Sequence, residues 1–482
     1  MPRPLTYVVL APLIASASLL LGGCGGAGTS NAQNAPPSGQ AKVQGPAADP
    51  AKGQKSGDLT TPNTRIDLDK AEPIVKNEVK GGEDAKGPTP MVYLYQEPDL
   101  KAIHDEPYEL VAPNGFPPVA SVIPAANPMT KGRVELGKQL YFDPRISLDA
   151  SVSCASCHDP AKGWTDNLKV SVGINGQKGG RNAPTVLNTL YGKTMFWDGR
   201  APSLEGQAQG PIQNKIEMGD QSYKQIVERL RAISGYKEQF LKVFGTDVTL
   251  DGMAKAIAAF ERTAISANSP YDQYTTGDPD EPATFGKLTE SQKRGMALFG
   301  LSPRDEDPFK VDKALVKKAN CTACHAGFNF TDEQFHNLGV GFDAAKNKLA
   351  DLGRFEITPI GSKNPAELGS FKTPTVRDAA RTGPYMHDGS EKTLEQVVEF
   401  YNKGGNKNPT LDPEMKSLNL TDAEKTDLVA FMQALTSPKV VVALPTLPSG
   451  PDGKSPDPRS ALNAPSAKTA SDAHRFVGTR GF

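Results

Sequence analysis

The residues with the most specific chemistry are four cysteines and two histidines in two short strings. The chain has five cysteines, and four of them lie in Cys154-Ala155-Ser156-Cys157-His158 and Cys321-Thr322-Ala323-Cys324-His325. Two thiols at this spacing can bond both vinyl groups on one porphyrin edge, and the next histidine can ligate the iron. A disulfide or a zinc site is the alternative, but zinc needs four ligands at one centre and the strings lie far apart. The sequence therefore predicts two covalently bound haem c groups, attached through Cys154, Cys157 and His158 and through Cys321, Cys324 and His325.

Helical patterns flank each string and must position it. Residues 133–142 precede the first string and residues 287–299 precede the second, both as short amphipathic stretches. Each unit also ends in apolar residues at helical spacing, around Phe260 and around Phe431. These patterns predict a mainly α fold with two cytochrome-c-like haem domains in tandem, at 91–280 and 281–443.

The two ends of the chain differ in composition from this central part. Arg3, the apolar residues 8–21 and the string Leu21-Gly22-Gly23-Cys24 resemble a bacterial lipobox signal, which predicts a signal peptide over 1–24 and lipidation of Cys24. Ordinary secretion with cleavage near Gly23 is the alternative. Residues 25–90 contain no aromatic residue and predict a disordered linker, and the proline-rich residues 444–482 predict a flexible tail. The expected location is the periplasm, with a lipid anchor through Cys24.

Charge and hydropathy exclude two other classes of protein. Lys and Arg number 54 against 55 Asp and Glu, so the basic excess that binding to nucleic acid requires is absent. The mean hydropathy is −0.44 and the long apolar run lies at the N-terminus, which excludes a protein with many membrane spans.

The central part of the sequence repeats itself. Matching pairs are Pro184-Thr185-Val186 with Pro374-Thr375-Val376, Asp198-Gly199 with Asp388-Gly389, and Leu204-Glu205 with Leu394-Glu395. Aligned on the glycines, Trp197 stands opposite His387 and Pro211 stands opposite Tyr401. If Tyr401 ligates an iron, its counterpart Pro211 cannot do the same.

Several longer motifs occur in a fixed order along the chain. They are Phe142-Asp143-Pro144-Arg145, the first cysteine string, Arg181-Asn182-Ala183-Pro184-Thr185, Phe196-Trp197-Asp198-Gly199-Arg200 and the second cysteine string. Together they resemble the bacterial di-haem cytochrome c peroxidase and MauG family over about residues 115–440. The resemblance implies that peroxide reacts at the N-terminal haem, that electrons pass through the C-terminal haem, and that a calcium ion lies between the domains.

The sequence departs from standard peroxidases of this family at two positions. Many members carry a distal histidine where this chain has Ile174, and a methionine ligand of the second haem where this chain has Tyr401. MauG-type members have tyrosine at the second position. The resemblance therefore implies an open first haem and a second haem ligated by His325 and Tyr401, with Met386 and Met415 as alternative ligands.

The family pattern also implies the remaining site residues. Gln207 and Glu217 match the residues beside the bound peroxide, where a proton must move between the two oxygens. Trp197 matches the tryptophan between the two haems. Asn182 and the backbone oxygens of Thr382 and Pro384 match the calcium ligands, and oxygen ligands suit that ion.

The expected function is an oxidoreductase that reduces hydrogen peroxide at the His158 haem with electrons relayed through the His325 and Tyr401 haem. A small cytochrome c or a cupredoxin is the expected donor. One alternative is a MauG-like enzyme that oxidises residues of a specific partner protein at a distance. A second alternative, from another class, is a non-catalytic di-haem electron carrier, which would need neither Glu217 nor an open first haem.

Overall fold

Helices make up most of the regular structure. The computed structural model describes residues 105–278, 287–305 and 307–462. Its helices are α1 (Lys131–Phe142), α2 (Cys154–Cys157), α3 (Leu204–Gln213), α4 (Tyr223–Arg231), α5 (Ser234–Phe244), α6 (Leu250–Glu261), α7 (Pro270–Thr276), α8 (Glu290–Phe299), α9 (Arg354–Ile357), α10 (Leu394–Asn402) and α11 (Asp422–Ala434). The prediction of a mainly α fold is confirmed.

Four two-residue strands form two small antiparallel pairs. β1 (Phe335–His336) pairs with β4 (Phe371–Lys372), and β2 (Phe342–Asp343) pairs with β3 (Lys348–Leu349). All four strands lie between α8 and α10, so they shape the loops after the second cysteine string and do not form a sheet core.

A close crossing of α1 and α6 organises the core of the N-terminal half. A Cβ atom on Gly137 would lie 1.8 Å from the backbone oxygen of Ala256, so only glycine permits this approach. Phe260 on α6 meets Tyr141 of α1 with ring centroids 5.1 Å apart. The core formed around this crossing includes Ala155 of the first cysteine string.

The same crossing recurs between α8 and α11 in the C-terminal half. A Cβ atom on Gly295 would lie 1.9 Å from the backbone oxygen of Asp427. Phe431 takes the place that Phe260 has in the first half and lies 5.2 Å from Phe299, centroid to centroid. Both halves therefore present a cysteine string to a pair of helices that cross at a glycine.

The helix starts follow local sequence. Thr289 caps α8 and Thr421 caps α11, each in a capping box with the residue three positions on. The pattern is visible in the sequence itself, where threonine stands three positions before Gln292 and before Glu424. The side-chain oxygen of each threonine accepts a backbone N–H that would otherwise have no partner.

The segment after α11 returns to the N-terminal half. Val440 and Val442 pack against the core that contains α1 and α6, and Leu447 is 2% exposed. Pro448 lies against Gly235, where a Cβ atom would meet it at 2.7 Å. Leu447 and Pro448 belong to the stretch predicted as a flexible tail, 444–482, of which residues 463–482 lie outside the described ranges, so the tail stays a prediction.

Other predictions concern residues outside the described ranges. The signal peptide, Cys24, the linker up to residue 90 and the proposed boundary at 280/281 all fall there. No described helix has the length and hydropathy that a membrane span requires.

Candidate active site

The first cysteine string forms the single turn α2. The His158 N–H donates to the Cys154 carbonyl at 3.0 Å, and the Tyr141 hydroxyl donates to the His158 carbonyl at 2.7 Å. Burial raises the pKa of the Cys157 thiol to about 12 and that of Cys154 further still. The thiols are therefore neutral and lie on one side of a helical turn, with the histidine immediately after them.

The second string forms a 3₁₀ turn, Cys321–Ala323, with the same order of groups. The His325 N–H donates to the Cys321 carbonyl at 2.8 Å, and His325 Nδ1 lies 3.1 Å from the Phe330 carbonyl. This contact orients the ring and leaves Nε2 for an iron, the arrangement typical of a metal-ligating histidine. Burial lowers the pKa of both His158 and His325, which favours the neutral, ligating form.

These residues fit haem c. The four cysteines of the two strings are unbridged, so their sulfurs are available for thioether bonds. Close to the first string, Trp164 Nε1 and Asp166 Oδ2 are buried polar atoms with no recorded hydrogen-bond partner. When bound, haem would be held by Cys154, Cys157 and His158 in the first half and by Cys321, Cys324 and His325 in the second.

Tyr401 lies near the second string. Burial raises its pKa, and the thiols of Cys321 and Cys324 raise it further, which requires the hydroxyl to be close to them. No hydrogen bond to this hydroxyl is recorded among the described residues. Met415, an alternative ligand, packs at Gly405, where a Cβ atom would lie 2.9 Å from its Cε.

The backbone around Tyr401 repeats the backbone around Pro211. Met386 and Phe196 share left-handed φ values of 68°, and the bridges Tyr385↔Glu391 and Met195↔Ala201 follow the same register. The helices α10 and α3 then carry Tyr401 and Pro211 at equivalent positions. The repeat thus has a phenol at a position of α10 where α3 has a proline, whose ring offers no atom that could ligate iron.

Glu217 lies beside the first string. Its Oε1 accepts a hydrogen bond from Asn214 Nδ2 at 2.7 Å. Burial raises the pKa of Glu217, while the Arg200 guanidinium lowers it to a smaller extent, and the carboxylate in turn raises the pKa of Cys157. Gln207 is half-buried on α3. Glu217 is itself half-buried, and a carboxyl with a raised pKa that is held by one amide is well suited to accept and return a proton.

The loop that carries Ile174 packs directly on the segment that carries Glu217. The Ile174 N–H donates to the Glu217 carbonyl at 3.1 Å. A Cβ atom on Gly173 would lie 1.8 Å from the Ile216 carbonyl oxygen, and one on Gly219 would lie 2.7 Å from Ile174 Cδ1. The loop therefore supports the backbone of the Glu217 segment, and it places the aliphatic side chain of Ile174 beside that segment.

Trp197 connects to the C-terminal half through Asn182. Trp197 Nε1 donates to the Asn182 carbonyl at 2.8 Å, and the Asn182 N–H donates to the His387 carbonyl at 2.7 Å. The His387 ring stacks on Phe371 at 3.5 Å, and burial lowers its pKa to about 4. His387 is therefore neutral, and the hydrogen bonds fix Trp197 at the junction of the two halves.

Arg181 is a second link across this junction, which the sequence did not assign. Its guanidinium contacts Asp198 at 2.6 Å and Asp351 at 2.7 and 2.9 Å. These carboxylates raise the pKa of Arg181. Asp198 follows Trp197 directly, so the ion pairs hold the tryptophan segment against the loop of the C-terminal half.

The three residues assigned to calcium lie in neighbouring segments. Asn182 Nδ2 donates to the Leu168 carbonyl at 2.8 Å, and Asn167 Nδ2 donates to the carbonyls of Arg381 and Gly383, both at 2.9 Å. Among the described residues, no hydrogen bond is recorded to the assigned oxygens, which are Asn182 Oδ1 and the carbonyls of Thr382 and Pro384. The calcium site remains a prediction.

His336 stands between two carboxylates near the second string. Its Nδ1 lies 2.7 Å from Asp412 and its Nε2 lies 2.9 Å from Asp332. Contacts with Cys324 and the two carboxylates raise its pKa to about 10. Cys324, Asp332 and His336 have the geometry of a metal site, but Cys324 belongs to the haem string. Asp332 precedes His336 by four residues, whereas Asp412 comes from a distant part of the sequence that only the folded chain brings to this ring.

Glu261 is a buried carboxyl that the sequence analysis did not single out. It is 5% exposed, and its Oε2 has no recorded hydrogen-bond partner. Burial raises its pKa to about 8, Arg262 lowers it, and the nearby Glu205 raises it again. Glu261 also raises the pKa of Tyr141 and Cys154, so it borders the first string.

Comparison with known proteins decides the family. Over 327 residues the chain is 41% identical to the methylamine utilization protein MauG of Methylorubrum extorquens, covering 67% of this chain and 84% of the relative. The chain belongs to the di-haem cytochrome c peroxidase and MauG family. The family model described as di-haem cytochrome c peroxidase matches residues 131–280.

Two further relatives extend the assignment within the di-haem peroxidase family. The cytochrome c551 peroxidase of Nitrosomonas europaea is 36% identical over 328 residues, covering 68% of this chain and 86% of the relative. A solved structure of a MauG-like protein associated with microbial copper homeostasis superposes with a TM-score of 0.58 and 31% identity, covering 68% and 96% of the two chains. This di-haem peroxidase-family protein is thus a peroxidase-like oxidoreductase with covalently bound haem c.

Proposed function

We propose that this protein reduces hydrogen peroxide at the His158 haem with electrons that enter through the His325 haem. Each turnover takes two electrons and two protons and converts one peroxide into two waters. The observation that carries this proposal is Glu217, a half-buried carboxyl beside the first string that Asn214 holds and whose pKa is raised. Haem, when bound, supplies the redox chemistry, and the chain supplies the proton transfer.

The residues around the first haem have different roles in the reaction with peroxide. Glu217, held by Asn214, takes a proton from the inner oxygen of the bound peroxide and returns it to the outer oxygen. Gln207, on the adjacent helix α3, donates a hydrogen bond to the same substrate. Ile174 and Pro211 carry no group that can ligate iron, so peroxide meets an open position.

The residues between the haems carry the electrons. Trp197, fixed by its hydrogen bond to Asn182, is the relay between the two domains. Tyr401 is the second ligand of the His325 haem, where an anionic oxygen ligand favours the ferric state. This assignment implies two cytochrome-c-like domains in tandem, in agreement with the helix crossing that both halves share.

Steady-state assays test this function. The holoenzyme is mixed with peroxide and a series of reduced donors, namely a small cytochrome c, a cupredoxin and a small-molecule reductant, and peroxide loss is followed. We expect turnover with at least the small-molecule donor, and a loss of turnover in Glu217→Gln. Absence of peroxide consumption with every donor would overturn the proposal.

A MauG-like function is the second candidate. The 41% identity to a protein named MauG and the tyrosine at position 401 both favour it. In this case the electrons come from residues of one specific partner protein, oxidised at a distance through the second haem. Turnover with a range of donors supports the peroxidase, whereas turnover with a single partner protein supports the MauG-like enzyme.

A non-catalytic electron carrier has less support. A carrier gains nothing from a partly desolvated carboxyl beside an open haem, because burial disfavours the ionised form of Glu217. The relatives named peroxidases also favour catalysis.

Calcium and the location of the protein complete the proposal. We place a calcium ion at Asn182 Oδ1 and the carbonyls of Thr382 and Pro384. These oxygens lie in neighbouring segments, and within the described ranges no hydrogen bond to any of them is recorded. Chelation should slow electron transfer between the haems, and added calcium should restore it.

We assign the protein to the periplasm with a lipid anchor at Cys24, which globomycin-sensitive processing and Cys24→Ala would test.

A further inference from the structure

The two haem strings differ in exposure. In the first, Ala155 is 0% exposed and Ser156 is 4% exposed. In the second, Ala323 is exposed, and so are the two residues that follow His325. The attachment edge of the second haem therefore comes closer to solvent than that of the first, and an external protein can approach it.

A segment rich in lysine leads along the chain into this second string. Lys318 Nζ is neutralised by Glu424, with contacts of 2.6 and 2.7 Å. Lys310 Nζ contacts backbone carbonyls and no carboxylate is recorded for it. Lys313 and Lys317 are exposed, and within the described ranges no carboxylate partner is recorded for either. Three lysines thus lie on the surface within eleven residues before Cys321, and the exposed carboxylates of Asp305 and Asp312 stand among them.

An apolar residue lies among these charges. Val316 is 42% exposed and stands between Lys313 and Lys317. Asp312 accepts the Ala314 N–H at 2.9 Å and so caps the 3₁₀ turn Lys313–Leu315. We call Lys310, Lys313 and Lys317 around Val316 the lysine rim.

We propose that the lysine rim is the docking surface for a small acidic redox protein that donates electrons to the second haem. The inference rests on the proposed function and adds the charge of the donor. Positive side chains steer an acidic partner and raise the association rate, while the apolar centre permits close contact for electron transfer. Two donor molecules each lose one electron for every peroxide reduced.

The experiment uses one donor at two surface charges. Reduced basic cytochrome c, native or with its lysines succinylated, is mixed with the holoenzyme and peroxide at low and high ionic strength. We expect the acidic, succinylated form to react faster at low salt, with a rate that falls as salt rises. In the variant K313E/K317E we expect kcat/KM for the acidic donor to fall by about tenfold or more, and the preference to reverse.

A matched variant and a small-molecule donor make the result decisive. K237E/K242E on α5 changes the net charge equally at exposed positions of the N-terminal half, and it should retain the rate with the acidic donor. Equal losses in both variants, or a wild-type preference for the basic donor at low salt, would overturn the docking surface. If only the small-molecule reductant supported turnover, the docking surface would also be overturned, while the peroxidase function would stand. Failure with the small-molecule reductant as well would instead contradict the proposed function.

Discussion

Pro211 and Tyr401 occupy the same position in two helices that repeat one another. Each is the eighth residue of its helix, α3 or α10. The turn before each helix has a left-handed backbone at equivalent residues, Phe196 and Met386. Proline offers no ligand atom, whereas the Tyr401 phenol lies beside the second cysteine pair. One repeated backbone thus gives two haem sites with different chemistry.

The resting spectrum should reflect this difference. We expect the all-ferric holoenzyme to contain one high-spin, five-coordinate haem and one low-spin, six-coordinate haem, because the proposed assignment gives the first iron His158 alone and the second iron both His325 and Tyr401. Electron paramagnetic resonance at low temperature measures both species. Two low-spin signals would contradict the assignment of the first haem.

Replacing Tyr401 should change the second haem alone. Tyr401→Met should raise its reduction potential, on the order of 100 mV or more, because a thioether favours ferrous iron and a phenolate favours ferric iron. Spectroscopic redox titration resolves the two haems. Tyr385→Phe is the control, since the Tyr385 hydroxyl donates to the Ala379 carbonyl at 2.7 Å and is not assigned to iron. An unchanged potential in Tyr401→Met would mean that another residue ligates.

Removal of the Glu217 carboxylate should slow the reaction with peroxide. We expect Glu217→Gln to lower the rate about 10²- to 10⁴-fold in stopped-flow mixing of ferric enzyme and peroxide. The base must be ionised, and burial raises its pKa, so the wild-type rate should fall as the pH drops through that raised value. Glu217→Gln should lose this acid limb, whereas the exposed Glu238→Gln should keep it. An identical pH profile in Glu217→Gln would assign the proton transfer elsewhere.

The loop of Gly173 should affect the same step from a distance. In Gly173→Ala the new Cβ would lie 1.8 Å from the Ile216 carbonyl oxygen, so the loop or the Glu217 segment must move. We expect a slower peroxide reaction, about tenfold or more, with an unchanged spectrum of the second haem. Gly180→Ala is a matched control, because a Cβ there meets nothing within 4 Å. Equal rates in the two variants would show that the loop does not position Glu217.

Glu261 should make stability depend on pH. Its pKa is about 8 in the folded protein against 4.5 as its ordinary value, so between these values the folded state binds the proton more strongly. The free energy of unfolding should therefore fall as the pH rises through this window, by up to about 1.4 kcal/mol per pH unit. Urea unfolding of the holoenzyme at several pH values measures the slope. Glu261→Gln should flatten it, and a slope that persists would assign the effect to other groups.

The parts that could be predicted from sequence are those fixed by local spacing. The cysteine strings, the capping boxes at Thr289 and Thr421 and the register of Pro211 against Tyr401 all depend on residues a few positions apart or on a direct repeat. Local chemistry fixes such features before any tertiary contact forms. The family resemblance added residue roles, such as that of Glu217, which spacing alone does not supply.

Features that depend on distant segments could not be predicted in this way. The pairs between His336 and Asp412 and between Arg181 and Asp351 join loops that only the folded chain brings together. The burial that raises the pKa of Glu261 is likewise a property of packing. The composition of residues 444–482 predicts a tail, and an average over a segment does not reveal the burial of one residue such as Leu447.

The return of the chain after α11 has a consequence for how the two halves stay together. Besides the contacts of Asn182 and Arg181 at their junction, the halves are joined along the backbone between α7 and α8, and again where Val440 and Val442 lie on the first core. A protease that cuts once between α7 and α8 would therefore leave two fragments that still share this contact. Val440 and Val442 belong to the second fragment and contact the first. We therefore expect the nicked protein to migrate as one particle until a denaturant disrupts this contact.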